Sequence, residues 1–231
     1  MASARYQVGR AALRRWGGCM IIAGTLLFGL ISILHPPTFD PFATSDAMSE
    51  IIASQHWSLI HWGLAIAITL LGLGLMALHV WLERLQMTAF SWFAKGATLI
   101  STTLWLGIFT FEAVAGTALA QAFFHPTTTP AVTNLIAATW AATLAAGYAA
   151  AALLGFAALL WSIELLRTRR FPAGFVWLGI ISGAALMVAQ PWTWLNPDVA
   201  LFILAPPAAA FALWLLSLGW QLWMSARLTD D

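Results

Sequence analysis

Residues 57–81 read WSLIHWGLAIAITLLGLGLMALHVW, a run without one Asp, Glu, Lys or Arg. As an α-helix this run is about 37 Å long, and the hydrocarbon core of a bilayer is about 30 Å thick. The run therefore predicts a transmembrane helix. The whole chain agrees, because 61% of its 231 residues are hydrophobic and 8% are charged, whereas soluble domains are about 25% charged.

Five further apolar runs are long enough to cross a bilayer. We predict six transmembrane helices, at about 16–34, 57–81, 96–122, 134–164, 174–190 and 200–224. No water reaches backbone polar groups in the bilayer core, so helices are the expected form, and the alternating segments of a membrane barrel do not occur in the sequence. The predicted fold class is an all-α, polytopic membrane protein whose single bundle covers residues 16–224.

The basic residues predict the orientation, because Lys and Arg are enriched in cytoplasmic loops. With a cytoplasmic N-terminus, all ten basic residues fall on the cytoplasmic side. They are Arg5, Arg10, Arg14, Arg15, Arg84, Lys95, Arg167, Arg169, Arg170 and Arg227. Residues 1–15 are then a basic cytoplasmic N-terminus and 225–231 a cytoplasmic tail, and the predicted location is the inner (cytoplasmic) membrane of a cell.

Net charge limits the partners that we expect. The net charge is +1, so there is no basic stripe for nucleic acid, which is bound by neutralising many phosphates. The lipid bilayer is the expected surrounding. A homo-oligomer or a larger membrane complex is the further partner that six helices in one chain suggest.

The loops and two of the helices carry local predictions. The first outer connection predicts an interfacial helix at about 45–55, with Ser45 or Asp46 as its N-cap, lying flat on the outer leaflet. The run at 134–164 is rich in Ala and Gly, which permit close helix approach, and we expect it at the centre of the bundle. Pro206 and Pro207 remove two backbone donors and are expected to bend the sixth helix.

Three outer connections share a pattern that suggests three related helical hairpins. Each begins with His or Gln, followed by Pro, one further residue and Thr: HPPT at 35–38, HPTT at 125–128 and QPWT at 190–193. Turn chemistry alone explains such a pattern, since Pro stops a helix. A sharper hypothesis is that His35, His125 and Gln190 converge around one opening.

Histidine is the main candidate for a ligand-bearing side chain. Four of the five histidines fall on the predicted outer side: His35, His56, His61 and His125. Their imidazoles are candidate ligands for zinc, copper or iron, and a facing pair could hold haem b. The alternative is that they belong to a membrane interface beside tryptophans. The fifth, His79, is expected at the inner interface.

Glu112 is the second candidate, because a carboxyl group inside a membrane helix is costly and marks a functional site by default. It lies within LGIFTFEAVAG, near the middle of the third predicted helix. We expect it to accept a proton or, in the alternative, to be a neutral acid bonded to a neighbouring helix. Tyr148 is the expected partner. Glu164 is expected instead to pair with Arg167 at the inner interface.

Three functions follow from these residues. The first is a metal or haem site built from His61, His35, His125 and His56, with Glu112 beside it, in a redox or metal-dependent membrane process. The second is a small proton-coupled transporter in which Glu112 titrates. The third is a structural accessory subunit of a larger membrane complex. The sequence does not decide whether the protein is an enzyme.

Overall fold

The computed structural model describes residues 2–36, 43–83, 88–169, 171–196 and 199–227. The secondary structure in these ranges is helical, without strands. The α-helices are α1 (Ala2–Leu34), α2 (Thr44–Ala53), α3 (Trp57–Leu82), α4 (Ala89–Phe123), α5 (Pro130–Thr168), α6 (Ala173–Leu195) and α7 (Ala200–Arg227).

Six of these helices are long and apolar enough to cross a membrane, namely all except α2. This confirms the prediction of six long apolar helices, and α3 begins at Trp57 as expected. α1 begins at Ala2, so the basic segment 1–15 largely continues the first helix. α6 runs through Pro191 to Leu195, beyond the predicted end at 190. The side of the membrane on which the termini lie stays a prediction.

The six long helices form a closed ring. Going round it, the order is α1, α3, α4, α5, α6 and α7, and α7 packs back against α1. The prediction that the Ala-rich helix lies at the centre was wrong, because α5 is one member of the ring and packs mainly against α4 and α6. Its small residues permit close approach to α6: a Cβ added to Gly155 would lie 2.7 Å from the carbonyl oxygen of Gly183 in α6.

The short helix α2 covers the far end of the bundle, the end at which α1 ends and α3 begins. Its buried side chains Ala47, Met48 and Ile51 form a cluster with Trp57 and with residues of α4 and α5. The predicted helix exists, but its apolar side packs against the protein instead of against lipid. Its N-cap is Ala43, without a side-chain cap, so the prediction of Ser45 or Asp46 at that position was wrong.

The repeat of three outer connections does not correspond to three alike structures. Residues 125–128 form a turn between α4 and α5, whereas Gln190 and Pro191 lie inside α6. Residues 37–42 of the first copy lie outside the described residues. The hairpins α1–α3, α4–α5 and α6–α7 are present as packed pairs, but the shared motif does not give them a common turn.

At the end of the bundle nearer to the N-terminus, two expectations about buried polar residues were wrong. Glu164 is 4% exposed, and it accepts a hydrogen bond from the hydroxyl of Thr88, the N-cap of α4. His79 is 2% exposed and lies between the rings of Trp92 and Trp161, at 5.5 and 5.8 Å. The side chain of His79 is thus packed inside the bundle and does not lie at the surface of the protein.

Candidate functional site

A buried polar contact joins His61 and Glu112. Nε2 of His61 is 2.9 Å from Oε2 of Glu112, and the side chains are 1% and 10% exposed. His61 stands in the second turn of α3, and Glu112 stands in the half of α4 that approaches the far end. The antiparallel packing of α3 on α4 therefore brings these two residues to the same level of the bundle.

The tautomer of His61 follows from its second contact. Nδ1 lies 2.8 Å from the backbone carbonyl oxygen of Trp57. A carbonyl oxygen only accepts hydrogen bonds, so Nδ1 carries a hydrogen and donates it. One further proton must lie between Nε2 and Oε2, because two lone pairs at 2.9 Å would repel. The pair is therefore imidazolium with carboxylate or imidazole with carboxylic acid, and its net charge is zero in both forms.

Trp57 holds this pair in place from the side. Its ring lies 4.2 Å from the ring of His61, and its Nε1 donates to the backbone carbonyl oxygen of Glu112 at 3.0 Å. The indole fits because residue 116 is glycine: a Cβ there would lie 2.6 Å from Nε1 of Trp57. One tryptophan thus fixes the backbone of the acid and the tautomer of its partner.

His35 joins the cluster from the end of α1. Its ring lies 5.2 Å from the ring of His61 and 5.3 Å from that of Trp57. Nδ1 of His35 donates to the carbonyl oxygen of Pro36 at 2.9 Å. Burial lowers the pKa of His35 below its ordinary value of 6.5, and the hydrogen bond to Pro36 opposes this only in part. His35 is therefore a neutral imidazole near pH 7, with Nε2 as its basic nitrogen.

The other two candidate histidines are not brought to this cluster. His56 is exposed at the N-cap of α3. His125 is exposed in the turn after α4, where Nδ1 lies 2.9 Å from the hydroxyl of Thr127. In the described part of the chain, no three His, Cys, Asp or Glu residues are grouped so that they could hold a metal ion. The metal site that includes these histidines stays a prediction.

Beside the pair, a cavity of about 510 Å³ occupies the middle of the ring and is lined by residues from all six long helices. Its wall is mainly aliphatic and aromatic, and the side chains in it that carry hydrogen-bonding groups include Thr25, Ser32, Glu112, Thr143, Tyr148 and Gln190. This volume lies in the range of about 300–1,000 Å³ that is usual for ligand pockets.

Two polar groups in this wall are buried without being fully used. Glu112 gives one carboxyl oxygen to His61, and no described residue bonds to the other. Gln190 is 5% exposed, and within the described ranges no side chain or backbone group bonds to its amide. By contrast, the hydroxyls of Thr25 and Thr143 donate to carbonyls of their own helices. Both side chains line the cavity, so these two groups are available to bond to a ligand in it.

Tyr148 lies in the same wall as Glu112, on α5, and its ring meets Trp194 edge-on at 5.9 Å. The partner that the structure shows for Glu112 is His61 and not the expected tyrosine. The sequence indicated Glu112 and His61 as separate candidates. Their pairing depends on how α3 packs against α4, and the role of Gln190 in the wall depends on α6 continuing through Pro191.

Comparison with known proteins adds no assignment. No protein-family model matches the chain. Neither the curated proteins nor the solved structures contain a match to it.

Proposed function

We propose that the protein is a small proton-coupled membrane carrier, in which the pair of His61 and Glu112 is the proton site and the central cavity is the substrate site. The observation that carries this proposal is a buried acid whose Oε2 lies 2.9 Å from Nε2 of His61 and that also lines a ligand-sized cavity. Intramembrane ionisable residues that face a cavity commonly mark proton or substrate pathways.

The pair suits proton exchange because its net charge is unchanged when the proton moves from Nε2 to Oε2. A low-dielectric site penalises a net charge strongly and a neutral pair much less. A ligand that bonds to Glu112 alters which form is favoured, since the second oxygen of the carboxyl group is available to the cavity. Substrate binding and proton binding are then linked at one residue, as coupling requires.

The closed ring supports a complete site in one chain. All six long helices contribute to the cavity wall, so the substrate site needs no second copy. A carrier must also open alternately to the two sides, and interrupted helices often permit that motion. α6 contains Pro191 and α7 contains Pro206 and Pro207, each of which removes a backbone hydrogen bond within its helix.

A metal or haem protein is the second candidate, and the observation in its favour is the 5.2 Å approach of the rings of His35 and His61. Coordination uses a bare nitrogen of the imidazole. At His61, Nδ1 is bonded to the carbonyl oxygen of Trp57 and Nε2 to Glu112, so a metal ion would have to displace one of them. We therefore rank this function below proton coupling. Elemental analysis of protein purified without chelator or histidine tag tests it.

The test of the carrier proposal is proton movement coupled to solute. The full chain is reconstituted into liposomes that contain a pH-sensitive dye, and three lipophilic probes are added in turn: an amine, a carboxylic acid and an uncharged amide. We expect at least one probe to drive protein-dependent proton movement, and we expect Glu112→Gln to abolish it. This variant keeps the shape of the side chain and removes the titrating group.

Glu164→Gln is the matched control. It replaces another buried glutamate, which accepts from Thr88 and lies at the opposite end of the bundle. Coupled proton movement should survive this change. Proton movement that is absent with all three probes, or that is equally strong in Glu112→Gln, would overturn the proposal.

A further inference from the structure

The helices α1 and α7 touch at one level and are apart at another. A Cβ added to Gly18 would lie 2.5 Å from the carbonyl oxygen of Gly219, and one added to Gly219 would lie 2.8 Å from that of Gly18. A Cβ added to Gly29, on α1, would have no neighbour within 4 Å. The backbones are thus in contact at Gly18, and α7 does not cover α1 at Gly29.

Helix geometry places these positions on one seam. Gly29 is eleven residues beyond Gly18, which is about 16 Å along the axis and about three full turns, so both glycines lie on the same face of α1. Ala208 is eleven residues before Gly219 on the antiparallel helix α7 and lies at the level of Gly29 by the same count. The seam between α1 and α7 is therefore closed at Gly18 and open at Gly29.

The exposure of the cavity wall agrees with this seam. The wall residues that are exposed are Gly29 and Ser32 on α1 and Ala208 on α7. Those contributed by α3, α4, α5 and α6 are buried or half-buried. The opening thus lies in the half of the seam that is nearer to the far end of the bundle. At this depth, two helices that cross a bilayer would be surrounded by lipid chains.

We infer that the cavity takes an amphiphilic amine that is dissolved in the bilayer and enters sideways between α1 and α7 at Gly29 and Ala208. This inference rests on the proposed carrier function and names its substrate class. An opening toward lipid admits molecules that partition into the hydrocarbon core, and the mainly apolar wall fits the body of such a molecule.

The charge of the wall selects an amine among amphiphiles. Among the described residues that line the cavity, Glu112 is the only Asp or Glu, and these residues include no Lys, Arg or His. An ammonium group can donate to the unused oxygen of Glu112 and to the side-chain oxygen of Gln190. The ring of Trp105, also in the wall, offers a face that attracts a cation. A carboxylic acid would find no positive side chain in the described part of this wall.

The proton balance follows from the pair. With an empty cavity, one proton lies between Nε2 of His61 and Oε2 of Glu112. When an ammonium group donates to the carboxylate of Glu112, it draws Oε2 away from Nε2, so the two lone pairs no longer face each other. Its charge replaces that of the imidazolium, and the proton leaves Nε2 for water. His61 is then neutral and still donates from Nδ1 to the carbonyl of Trp57. One cation is bound and one proton is released, which is the exchange that a proton-driven amine carrier needs.

The experiment uses dansylcadaverine, a primary amine with a fluorescent apolar group, and the full chain in lipid nanodiscs. The control probe is N-butyl dansylamide, which carries the same fluorophore without the amine. Energy transfer from tryptophan reports binding. We expect the amine to bind at least about tenfold more tightly than the uncharged probe, which corresponds to one added charge-assisted contact.

Access is tested with Gly29→Leu, because the open space at Gly29 accepts a side chain without a clash. We expect this variant to slow association of the amine at least about fivefold. Gly107→Leu is the matched control, since Gly107 on α4 also has open space around it and lies outside the cavity wall. Ala208→Leu, on the other side of the seam, should act like Gly29→Leu and replaces it if that variant does not fold.

Each outcome has one meaning. Equal association rates in Gly29→Leu, Ala208→Leu and Gly107→Leu would overturn sideways access at this seam. Equal affinity for the amine and the uncharged probe would overturn the amine as substrate class. If liposomes then showed proton movement driven by another amphiphile and lost in Glu112→Gln, the carrier function would stand without this inference.

Discussion

Replacing His61 should destabilise the protein more than replacing Glu112. His61→Phe leaves the carboxyl oxygen Oε2 of Glu112 without its partner at a position that is 10% exposed. A buried polar group that loses its partner costs about 1–3 kcal/mol, and more if it is charged. Glu112→Gln leaves no such orphan, because Nδ1 of His61 donates to Trp57 and Nε2 can accept from the new amide. We expect that variant to lie within about 1 kcal/mol of the wild type.

The assay is thermal unfolding in one mild detergent, followed by tryptophan fluorescence at pH 7. His56→Phe is the control for the histidine, since His56 is exposed at the N-cap of α3. The expected order of Tm is wild type, His56→Phe and Glu112→Gln close together, with His61→Phe clearly lowest. If Glu112→Gln were as destabilising as His61→Phe, the tautomer assigned to His61 would be wrong.

Three further predictions test the surroundings of the pair. Gly116→Ala places a Cβ 2.6 Å from Nε1 of Trp57 and should lower the free energy of unfolding by about 1–3 kcal/mol. Gly107→Ala, in open space on the same helix, should raise it by about 0.5–1 kcal/mol. Thermal unfolding compares the two variants. Burial lowers the pKa of His35 in the folded protein below 6.5, so unfolding at a pH below about 6.5 is accompanied by uptake of a proton. The stability of the wild type should therefore fall as the pH drops below about 6.5. His35→Gln should make this fall less steep between about pH 5 and 7. His79→Phe should leave Tm unchanged or raise it, because both ring nitrogens of His79 are buried without a partner in the described part of the chain. A lower Tm would contradict this prediction.

The number of long apolar helices could be predicted from the sequence because it depends on local composition. A run such as 57–81 is apolar over its whole length, and the structure begins the helix at Trp57 as predicted. Proline predicted the end of a helix less well. Pro191 was expected to end a helix, but α6 continues to Leu195, since its neighbours in the bundle stabilise the helix despite the missing donor.

The site was predicted only in part, because its contacts depend on packing between helices. Glu112 was identified from its cost in a membrane, and His61 as one of four histidines on the predicted outer side. No local pattern specifies that α3 and α4 place them 2.9 Å apart. The expected partner, Tyr148, was chosen by similar depth, and depth alone does not fix the face of a helix that a side chain occupies.

The central cavity could not be predicted, because it is a property of the ring and not of any helix. The small residues of α5 suggested a central helix, but Gly155 and Gly183 use that space to bring α5 and α6 together as neighbours. Gln190 was predicted to lie near an opening and proved to line the cavity. His125, expected to lie beside it, is exposed in the turn after α4.

The most direct test of the account is the number of protons released when dansylcadaverine binds. Calorimetric titration of the full chain near pH 7, in two buffers that differ in ionisation enthalpy, gives this number. The account predicts release of about one proton per bound amine in the wild type, because the ammonium replaces the shared proton of the pair, and none in Glu112→Gln. Binding of the amine without proton release in the wild type would contradict the proton site formed by His61 and Glu112.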